Sequence, residues 1–269
     1  MIKKVHIRNN QGEKSLEAEK NLRKILDKLD VEITNSFDDT VELVIAIGGD
    51  GTFLNAVNSL DYPDCCFAGI NTGHLGFFQE INTEHIEIFE KIIQGNGISI
   101  QEITPLKIKI YAGGVAEPAT HYAVNEISIR HKRFKVIHLH TYISNQYIEK
   151  FSGDGIIIST TTGSTAYNYS AGGCLIDSSL RLLQLTPISA LNTNAYRCIT
   201  GGFILPPDQE ISIIPETGNE EDAVLLPDGR IMDFDIINKA VIGYSKDKKI
   251  KIIRLNSYNF WDKVKEKFL

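Results

Sequence analysis

This chain of 269 residues has few cysteines, no long apolar run and no excess of positive charge. Its four cysteines form no C-x-x-C pair, which excludes a disulfide framework and a cysteine-based zinc site. No apolar run approaches the length that crosses a bilayer. The first residues lack the apolar core of a signal peptide. We therefore expect a cytoplasmic protein that does not contact membranes.

Basic residues are outnumbered, with 28 Lys and Arg against 34 Asp and Glu and a net charge of −6. Nucleic acids and anionic membranes attract strongly basic surfaces, so neither is an expected partner. The short basic run at residues 130–133 is more typical of a solvated turn. A hydrophobic content of 42% and a charged content of 23% are typical of a globular protein, here long enough for two domains.

The pattern of apolar residues changes near residue 102. Before it, strand-like runs alternate with amphipathic helical segments, which predicts a parallel sheet covered by helices. After it, short polar–apolar alternations predict antiparallel strands. One of these predicted strands, residues 123–130, contains Asn125 and Glu126. We expect domains at residues 1–101 and 102–248, with a C-terminal segment, residues 249–269, that packs back on the first domain.

The segment Gly-Gly-Asp-Gly-Thr, residues 48–52, directly follows the apolar run at residues 43–47. A β-branched run that ends in glycines predicts a buried strand and a tight loop, and a helix is expected at residues 52–57. The glycines let backbone N–H groups approach an anion closely. A carboxylate in such a loop, Asp50, suits proton transfer or metal binding. The segment favours phosphoryl transfer, and the alternative is that Asp50 only caps the helix.

Two further segments carry polar groups suited to a nucleotide. Residues 159–167 read Ser-Thr-Thr-Thr-Gly-Ser-Thr-Ala-Tyr and follow an apolar run, which favours a folded pocket wall over a flexible linker. Asn125 and Glu126 place a carboxamide beside a carboxylate, a pair that can bind two neighbouring ribose hydroxyls. Alone, that pair is more typical of a strand surface. His138 and His140 lack a third ligand, so no metal cage of side chains is expected.

Taken in order, these motifs resemble those of the NAD kinases along almost the whole chain. The Gly-Gly-Asp-Gly-Thr loop also occurs in related lipid kinases and, in similar form, in phosphofructokinases. The block Thr-Gly-Ser-Thr-Ala-Tyr is more specific to NAD kinases, and the short length resembles the compact enzymes of Gram-positive bacteria. The segments that carry the resemblance are residues 48–52, 73–77, 125–126, 153–155, 162–167, 170–173 and 228–229.

The resemblance implies a Rossmann-like α/β N-terminal domain and a β-sandwich-like C-terminal domain. It implies transfer of the γ-phosphoryl group of ATP, or of polyphosphate, to the 2′-hydroxyl of the adenosine ribose of NAD, which makes NADP. A divalent cation, with Mg²⁺ expected, would bridge the donor's phosphates. A homo-oligomer, a dimer or a tetramer, is also implied.

The resemblance assigns roles to individual residues. Asp50 is the expected base or orienter of the acceptor hydroxyl. Phe77 and Phe78 are expected to border the NAD site near the adenine, and Asn125 and Glu126 to hold the ribose and adenine ends. The phosphate side of the loop comprises Gly48, Gly49, Gly51 and Thr52. The other expected NAD-binding residues are Asp50, Gly51, Asp154, Thr165, Ala166, Tyr167 and Ser170, some of which would reach a neighbouring subunit.

Two positions depart from the family pattern. Thr161 stands where proline is usual, and Ser152 stands where close relatives often carry arginine, which puts a phosphate contact there in question. Asp228 with Gly229 fits the family's late motif and equally an ordinary hairpin turn. His74 is either a structural hydrogen-bonding residue or a phosphate contact.

Two other functions stay open from the residues. A lipid kinase of the diacylglycerol or sphingosine type would explain the loop at residues 48–52 but not residues 162–167. A non-catalytic dinucleotide-binding sensor would gain little from the carboxylate of Asp50.

Overall fold

A computed structural model describes residues 1–114, 117–194, 196–232 and 234–269. The chain divides into a first unit, Met1–Ile103 with Lys248–Leu269, and a second unit, Thr104–Asp247.

The strands are β1 (Lys4–Asn9), β2 (Glu32–Thr34), β3 (Leu43–Gly48), β4 (Cys66–Asn71), β5 (Ile81–Asn82), β6 (Ile98–Ile103), β7 (Leu106–Ala112), β8 (Ala119–Ala123), β9 (Glu126–His131), β10 (Ile137–Ile143), β11 (Gln146–Gly153), β12 (Gly155–Ser159), β13 (Leu183–Ile188), β14 (Phe203–Leu205), β15 (Ile211–Pro215), β16 (Ala223–Pro227), β17 (Ile237–Tyr244) and β18 (Ile250–Leu255). The α-helices are α1 (Glu13–Lys28), α2 (Asp50–Ser59), α3 (Phe89–Gln94), α4 (Tyr167–Ser170) and α5 (Phe260–Phe268), with 3-10 turns at Thr83–Ile88 and Thr162–Thr165.

The first unit is built on a seven-stranded sheet in the order β2-β1-β3-β4-β18-β6, with β5 also paired to β4. All its pairs are parallel except β18 with β6. Strand β3 is buried along its whole length, as expected for a parallel strand with both faces covered. Its apolar side chains share a core with Leu22 and Leu26 of α1 and with Phe89 and Ile92 of α3.

One helix of the first unit differs in detail from the sequence prediction. Helix α2 begins at Asp50 rather than at Thr52 because the glycine-rich loop already follows the helical path there. Asp50 therefore lies in the first turn of the helix.

The second unit contains two antiparallel sheets, in the orders β11-β10-β15-β17-β7-β8 and β14-β13-β12-β9-β16. Alternate residues of both sheets enter one hydrophobic core, which is the pattern of a β-sandwich. The prediction of an α/β domain followed by a β-sandwich-like domain is confirmed. Core residues from the two sheets include Leu106, Ile108 and Ile110 of β7, Ile127 and Ile129 of β9, and Ile156 and Ile158 of β12.

The strand predicted at residues 123–130 is two strands. Strand β8 ends at Ala123 in one sheet, and β9 begins at Glu126 in the other. The polar–apolar alternation is interrupted at residues 123–126, which read Ala-Val-Asn-Glu, but such an interruption does not by itself show that the chain changes sheets. Asn125 consequently lies where the chain passes from one sheet to the other, and not inside a strand.

Candidate active site

Asp50 stands at the point where buried strand β3 passes into helix α2. Its Oδ2 atom accepts a hydrogen bond from the Phe77 backbone N–H at 2.9 Å, and its Oδ1 atom accepts one from the Phe78 N–H at 3.0 Å. The start of a helix also favours a negative charge. Since a carboxylate oxygen can accept more than one hydrogen bond, each oxygen keeps a free lone pair after these contacts. The carboxylate is thus held in one orientation while it remains able to accept a proton.

The glycines around Asp50 fall into two classes. A Cβ atom at Gly76 would collide with Asp50 Oδ1, so only glycine lets residues 76–78 approach the carboxylate. Gly48 is similar, because its Cβ would collide with the Thr52 side chain. A Cβ at Gly49 or Gly51 would meet no described atom within 4 Å. Packing in this unit therefore does not demand glycine at Gly49 and Gly51, and open space lies beside both.

The rings of Phe77 and Phe78 are buried in the first unit. The Phe78 ring stacks on Phe53 with 4.6 Å between centroids, and the Phe77 ring lies 5.9 Å from that of Phe260. The exposed fractions of Phe77 and Phe78 are 7% and 3%. In this structure the two residues contact Asp50 through their backbone N–H groups, which donate to its carboxylate. A contact of either ring with adenine stays a prediction. His74, by contrast, is exposed.

Gln79 is a loop-positioning residue that no sequence signal indicated. Its side chain is fully buried, and its Nε2 atom donates to the Gly49 carbonyl at 2.9 Å. A Cβ at Gly69 of β4 would collide with the Gln79 side chain, so a small residue in the neighbouring strand is needed to admit it. Residues 77–79 therefore fix the strand-to-helix turn by hydrogen bonds to both Gly49 and Asp50.

In the second unit, Asn125 and Glu126 each bury an oxygen without a hydrogen-bond partner among the described residues. The atoms are Asn125 Oδ1 and Glu126 Oε2, and the two side chains are only 7% and 6% exposed. Buried polar atoms in proteins normally have a partner, and an acceptor without one costs free energy. Two such oxygens on consecutive residues are available to accept hydrogen bonds from a ligand.

Asp228 holds the backbone of this pair. Its carboxylate accepts the N–H of Val124 at 2.8 Å and that of Asn125 at 2.7 Å, while its own N–H donates to the Glu126 carbonyl at 2.9 Å. The φ angles of Asp228 and Gly229 are 47° and 74°, and the turn closes from Arg230 N–H to the Pro227 carbonyl at 3.0 Å. Two left-handed residues in succession are typical of a tight hairpin turn. Asp228 is therefore both a turn residue and the support for the passage between the sheets.

The carboxyl group of Glu126 is unlike that of a surface acid. Burial raises its pKa to about 8, and the negative charge of nearby Asp228 adds to the shift. Loss of hydration penalises the charged form of a buried acid, and a like charge nearby does the same. Near neutral pH the Glu126 carboxyl is therefore mainly protonated, so it can donate a hydrogen bond as well as accept one.

The small-residue block packs directly on Asn125. The Gly163 N–H donates to Thr160 Oγ1 at 2.9 Å, and that hydroxyl donates to the Val124 carbonyl at 2.9 Å. A Cβ at Gly163 would collide with the Asn125 carbonyl oxygen, so glycine is required for this approach. The backbone φ of Thr161 is −61°, a value that a proline ring also allows. The Thr161 N–H donates a hydrogen bond to Tyr244 Oη at 3.4 Å. The 3-10 turn Thr162–Thr165 is thereby fixed beside Asn125.

The remaining predicted residues of the second unit have varied surroundings. Tyr167 Oη accepts from Arg130 at 3.2 Å, whereas Ser152 is fully buried with its Oγ 2.7 Å from His138 Nδ1. Asp154 is half-buried, and its carboxylate has no hydrogen bond or ion pair within the described ranges. Thr165 and Ala166 are half-buried and Ser170 is exposed, so these side chains retain surface for a ligand.

The described part of the chain contains neither a side-chain cluster suited to a metal ion nor a helix suited to a bilayer. Its His, Cys, Asp and Glu side chains form no group of three or more that could hold a metal ion. Each of its helices is too short or too polar to span a membrane.

A Rossmann-like unit with an oriented carboxylate behind a glycine-rich loop, together with a β-sandwich unit, defines a kinase that acts on small molecules. The chain belongs to the NAD kinase family: the ATP-NAD kinase N-terminal domain matches residues 3–96, and the ATP-NAD kinase C-terminal domain matches residues 124–254.

Curated relatives agree over nearly the whole chain. NAD kinase from Finegoldia magna is 33% identical over 267 residues, which cover 98% of this chain and 97% of the relative. NAD kinase 2 from Listeria monocytogenes is 34% identical over 254 residues, which cover 93% and 92%. The chain is thus an enzyme with NAD kinase function, and the lipid kinase and sensor alternatives gain no support.

Two solved structures share the fold. Yeast NADH kinase complexed with NADH superposes with a TM-score of 0.86 at 20% identity and covers 98% of this chain and 87% of that chain. An NAD kinase from Archaeoglobus fulgidus in complex with ATP gives a TM-score of 0.76 at 22% identity, with coverage of 98% and 99%.

Proposed function

We propose that this enzyme transfers the γ-phosphoryl group of ATP to the 2′-hydroxyl of the adenosine ribose of NAD, which yields NADP and ADP. The observation that carries the proposal is the carboxylate of Asp50, oriented by two backbone N–H groups at 2.9 and 3.0 Å at the start of helix α2. Phosphoryl transfer depends mainly on positioning and on stabilisation of charge, which a rigid carboxylate and a helix N-terminus both provide.

In this proposal Asp50 is the catalytic residue. A free lone pair on its carboxylate accepts the proton of the 2′-hydroxyl while the ribose oxygen forms its bond to the γ-phosphorus. The bond from the γ-phosphorus to the bridging oxygen breaks, and ADP takes that electron pair. The open space beside Gly49 and Gly51 is where the phosphates would approach the first backbone N–H groups of α2, which lack partners within the helix.

We propose that residues of the second unit hold NAD. The partnerless oxygens of Asn125 and Glu126 suit the hydroxyl and amino groups of a nucleoside. The side chains of Asp154, Thr165, Ala166, Tyr167 and Ser170 would complete the pocket. Asp228 acts through the backbone of residues 124–126 and is a positioning residue.

A divalent cation, expected to be Mg²⁺, would come with the phosphates of the donor. This ion usually keeps several waters and takes only one or two carboxylates from a protein, so Asp50 with the nucleotide phosphates is a suitable donor set. When bound, the ion would neutralise charge on the transferred group. Polyphosphate as donor, a cytoplasmic location and a dimeric or tetrameric assembly are predictions from the sequence that we retain.

The proposal is tested by incubating the purified protein with NAD, ATP and Mg²⁺ and measuring NADP with a coupled dehydrogenase. We expect Asp50→Asn to lower kcat by about 10³-fold, within the range for loss of a general base, while NAD still binds in calorimetry. Asp39→Asn, at an exposed position, makes the same charge change and is the matched control. Product with polyphosphate alone would change the donor, and retained turnover in Asp50→Asn would refute the role of Asp50.

A further inference from the structure

Arg254 is a charged residue in the interior of the first unit. It lies on β18, where period-two alternation places it on the same face as Ile250 and Ile252, both fully buried. Arg254 itself is 4% exposed. Arginine is almost never fully buried unless its charge is paired, so its presence here calls for specific partners.

The guanidinium of Arg254 has partners on each side. Its Nε donates to Gln101 Oε1 at 2.8 Å, and its Nη1 donates to the Phe77 carbonyl oxygen at 2.8 Å. The same Nη1 lies 3.6 Å from Glu80 Oε2, and the guanidinium lies over the Tyr258 ring at 4.1 Å. A flat group with several donors is needed for this set, which lysine could not reproduce.

The contact with Phe77 leads directly to Asp50. The carbonyl of Phe77 and the N–H of Phe78 belong to one peptide group, and that N–H donates to Asp50 Oδ1 at 3.0 Å. A positive charge on the carbonyl side of a peptide polarises it, so its N–H becomes a stronger donor. The chain of hydrogen bonds therefore runs from the Arg254 guanidinium through one peptide to the catalytic carboxylate.

If Arg254 had only a structural role, that role would be its ion pair with Glu80. Glu80 Oε1 accepts the Leu255 N–H at 3.1 Å, and burial raises the pKa of the Glu80 carboxyl while Arg254 opposes that shift. Breaking a buried ion pair on one side leaves an uncompensated charge and destabilises a fold whatever its function. A test must therefore separate the ion pair from the peptide contact.

We infer that Arg254 is a positioning residue of the phosphoryl transfer, which polarises and anchors the Phe77–Phe78 peptide that orients Asp50. The inference rests on the proposed function of Asp50. It assigns to the C-terminal strand β18 a part in the reaction, although Arg254 itself contacts neither substrate in the proposed mechanism.

The test compares Glu80→Gln with the double variant Arg254→Met/Glu80→Gln, because both lack the ion pair and only the double variant lacks the peptide contact. We expect Glu80→Gln to keep kcat within about twofold of the native chain, and the double variant to lose about tenfold in kcat with the KM for NAD little changed. If both variants kept the native kcat, the inference would be overturned. If both lost the same fraction of kcat, the effect would belong to the ion pair, and the inference would be overturned as well.

A second readout does not depend on activity. With ¹⁵N-labelled phenylalanine, the amide proton of Phe78 should move upfield in the double variant relative to Glu80→Gln, because its hydrogen bond to Asp50 weakens. An unchanged Phe78 amide would contradict the inference even if activity fell. If the native chain formed no NADP, the proposed function would fail, whereas the Phe78 signal would still decide whether Arg254 acts on this peptide.

Discussion

The two carboxylates central to the proposed reaction are held in opposite ways. Asp50, in the first unit, has both oxygens paired with backbone N–H groups and sits at a helix start that favours its negative charge. Glu126, in the second unit, has a buried oxygen without a partner among the described residues, and a pKa raised to about 8. The difference teaches that the surroundings give two carboxyl groups different properties: backbone hydrogen bonds orient that of Asp50, and burial favours the protonated form of that of Glu126.

The largest expected effect follows from crowding the carboxylate of Asp50. A methyl group at Gly76 would collide with Asp50 Oδ1, so Gly76→Ala must displace either the carboxylate or residues 76–78. We expect a fall in kcat of about 10²-fold or more, since small misplacements of reacting groups cost that much. Steady-state kinetics measures it. Gly201→Ala, where a Cβ would meet nothing within 4 Å, is the control, and equal kinetics in both variants would remove the steric argument.

A second prediction concerns the raised pKa of Glu126. Between its ordinary value of 4.5 and about 8 the folded chain binds more protons than the unfolded chain, so this group makes the free energy of unfolding fall as pH rises. Glu126→Gln removes that dependence. We expect the variant to gain about 2 kcal/mol relative to the native chain between about pH 5 and about pH 7, measured by urea unfolding. Parallel curves for the two proteins would show that Glu126 titrates normally.

Glu126→Gln also tests the binding role of Glu126 through the KM for NAD. Glutamine resembles a protonated glutamic acid, so Glu126→Gln should leave the KM for NAD nearly unchanged below about pH 7. Above the pKa of about 8 the native KM should change while that of the variant stays flat. A native KM that stays flat through this range would contradict the assigned binding role.

A third prediction concerns Asp228, whose carboxylate holds the backbone of Val124 and Asn125. Asn at position 228 offers one acceptor oxygen where two N–H groups, those of Val124 and Asn125, now donate to a carboxylate. We expect Asp228→Asn to lose about 1–2 kcal/mol of stability, the usual cost of a buried group without its partner. The KM for NAD should rise while kcat changes little. Asp208→Asn, at an exposed site, is the control, and an equal effect there would point to net charge alone.

The smallest expected effect is at Thr161, the position at which the family usually has proline. Its φ of −61° suits a proline ring, and the hydrogen bond that would be lost, to Tyr244 Oη, is long at 3.4 Å. We expect Thr161→Pro to change stability by less than about 1 kcal/mol and to leave kcat unaltered. Thermal unfolding measures the first and the NADP assay the second. A loss of several kcal/mol would show that the Tyr244 contact matters more than its length suggests.

Much of the fold could be predicted from local patterns. The apolar run before the glycines specified β3, and the change from helix-strand alternation to short alternating runs specified the second architecture. The passage between sheets at residues 124–125 could not be predicted, because the sheet that a strand joins is decided by pairing partners far away in the chain. The positioning residues Gly76, Gln79 and Asp228 act through partners that are distant in sequence, so no local pattern indicated what they do.

By itself, the sequence determined the class of the fold, the family and the candidate residues, because hydrophobic periodicity and motif order are local properties of the chain. Only the tertiary structure decided which atoms orient Asp50, why Glu126 is mainly protonated and what Asp228 supports. Each of these depends on burial or on hydrogen bonds between residues that are far apart in the chain, which no local pattern contains.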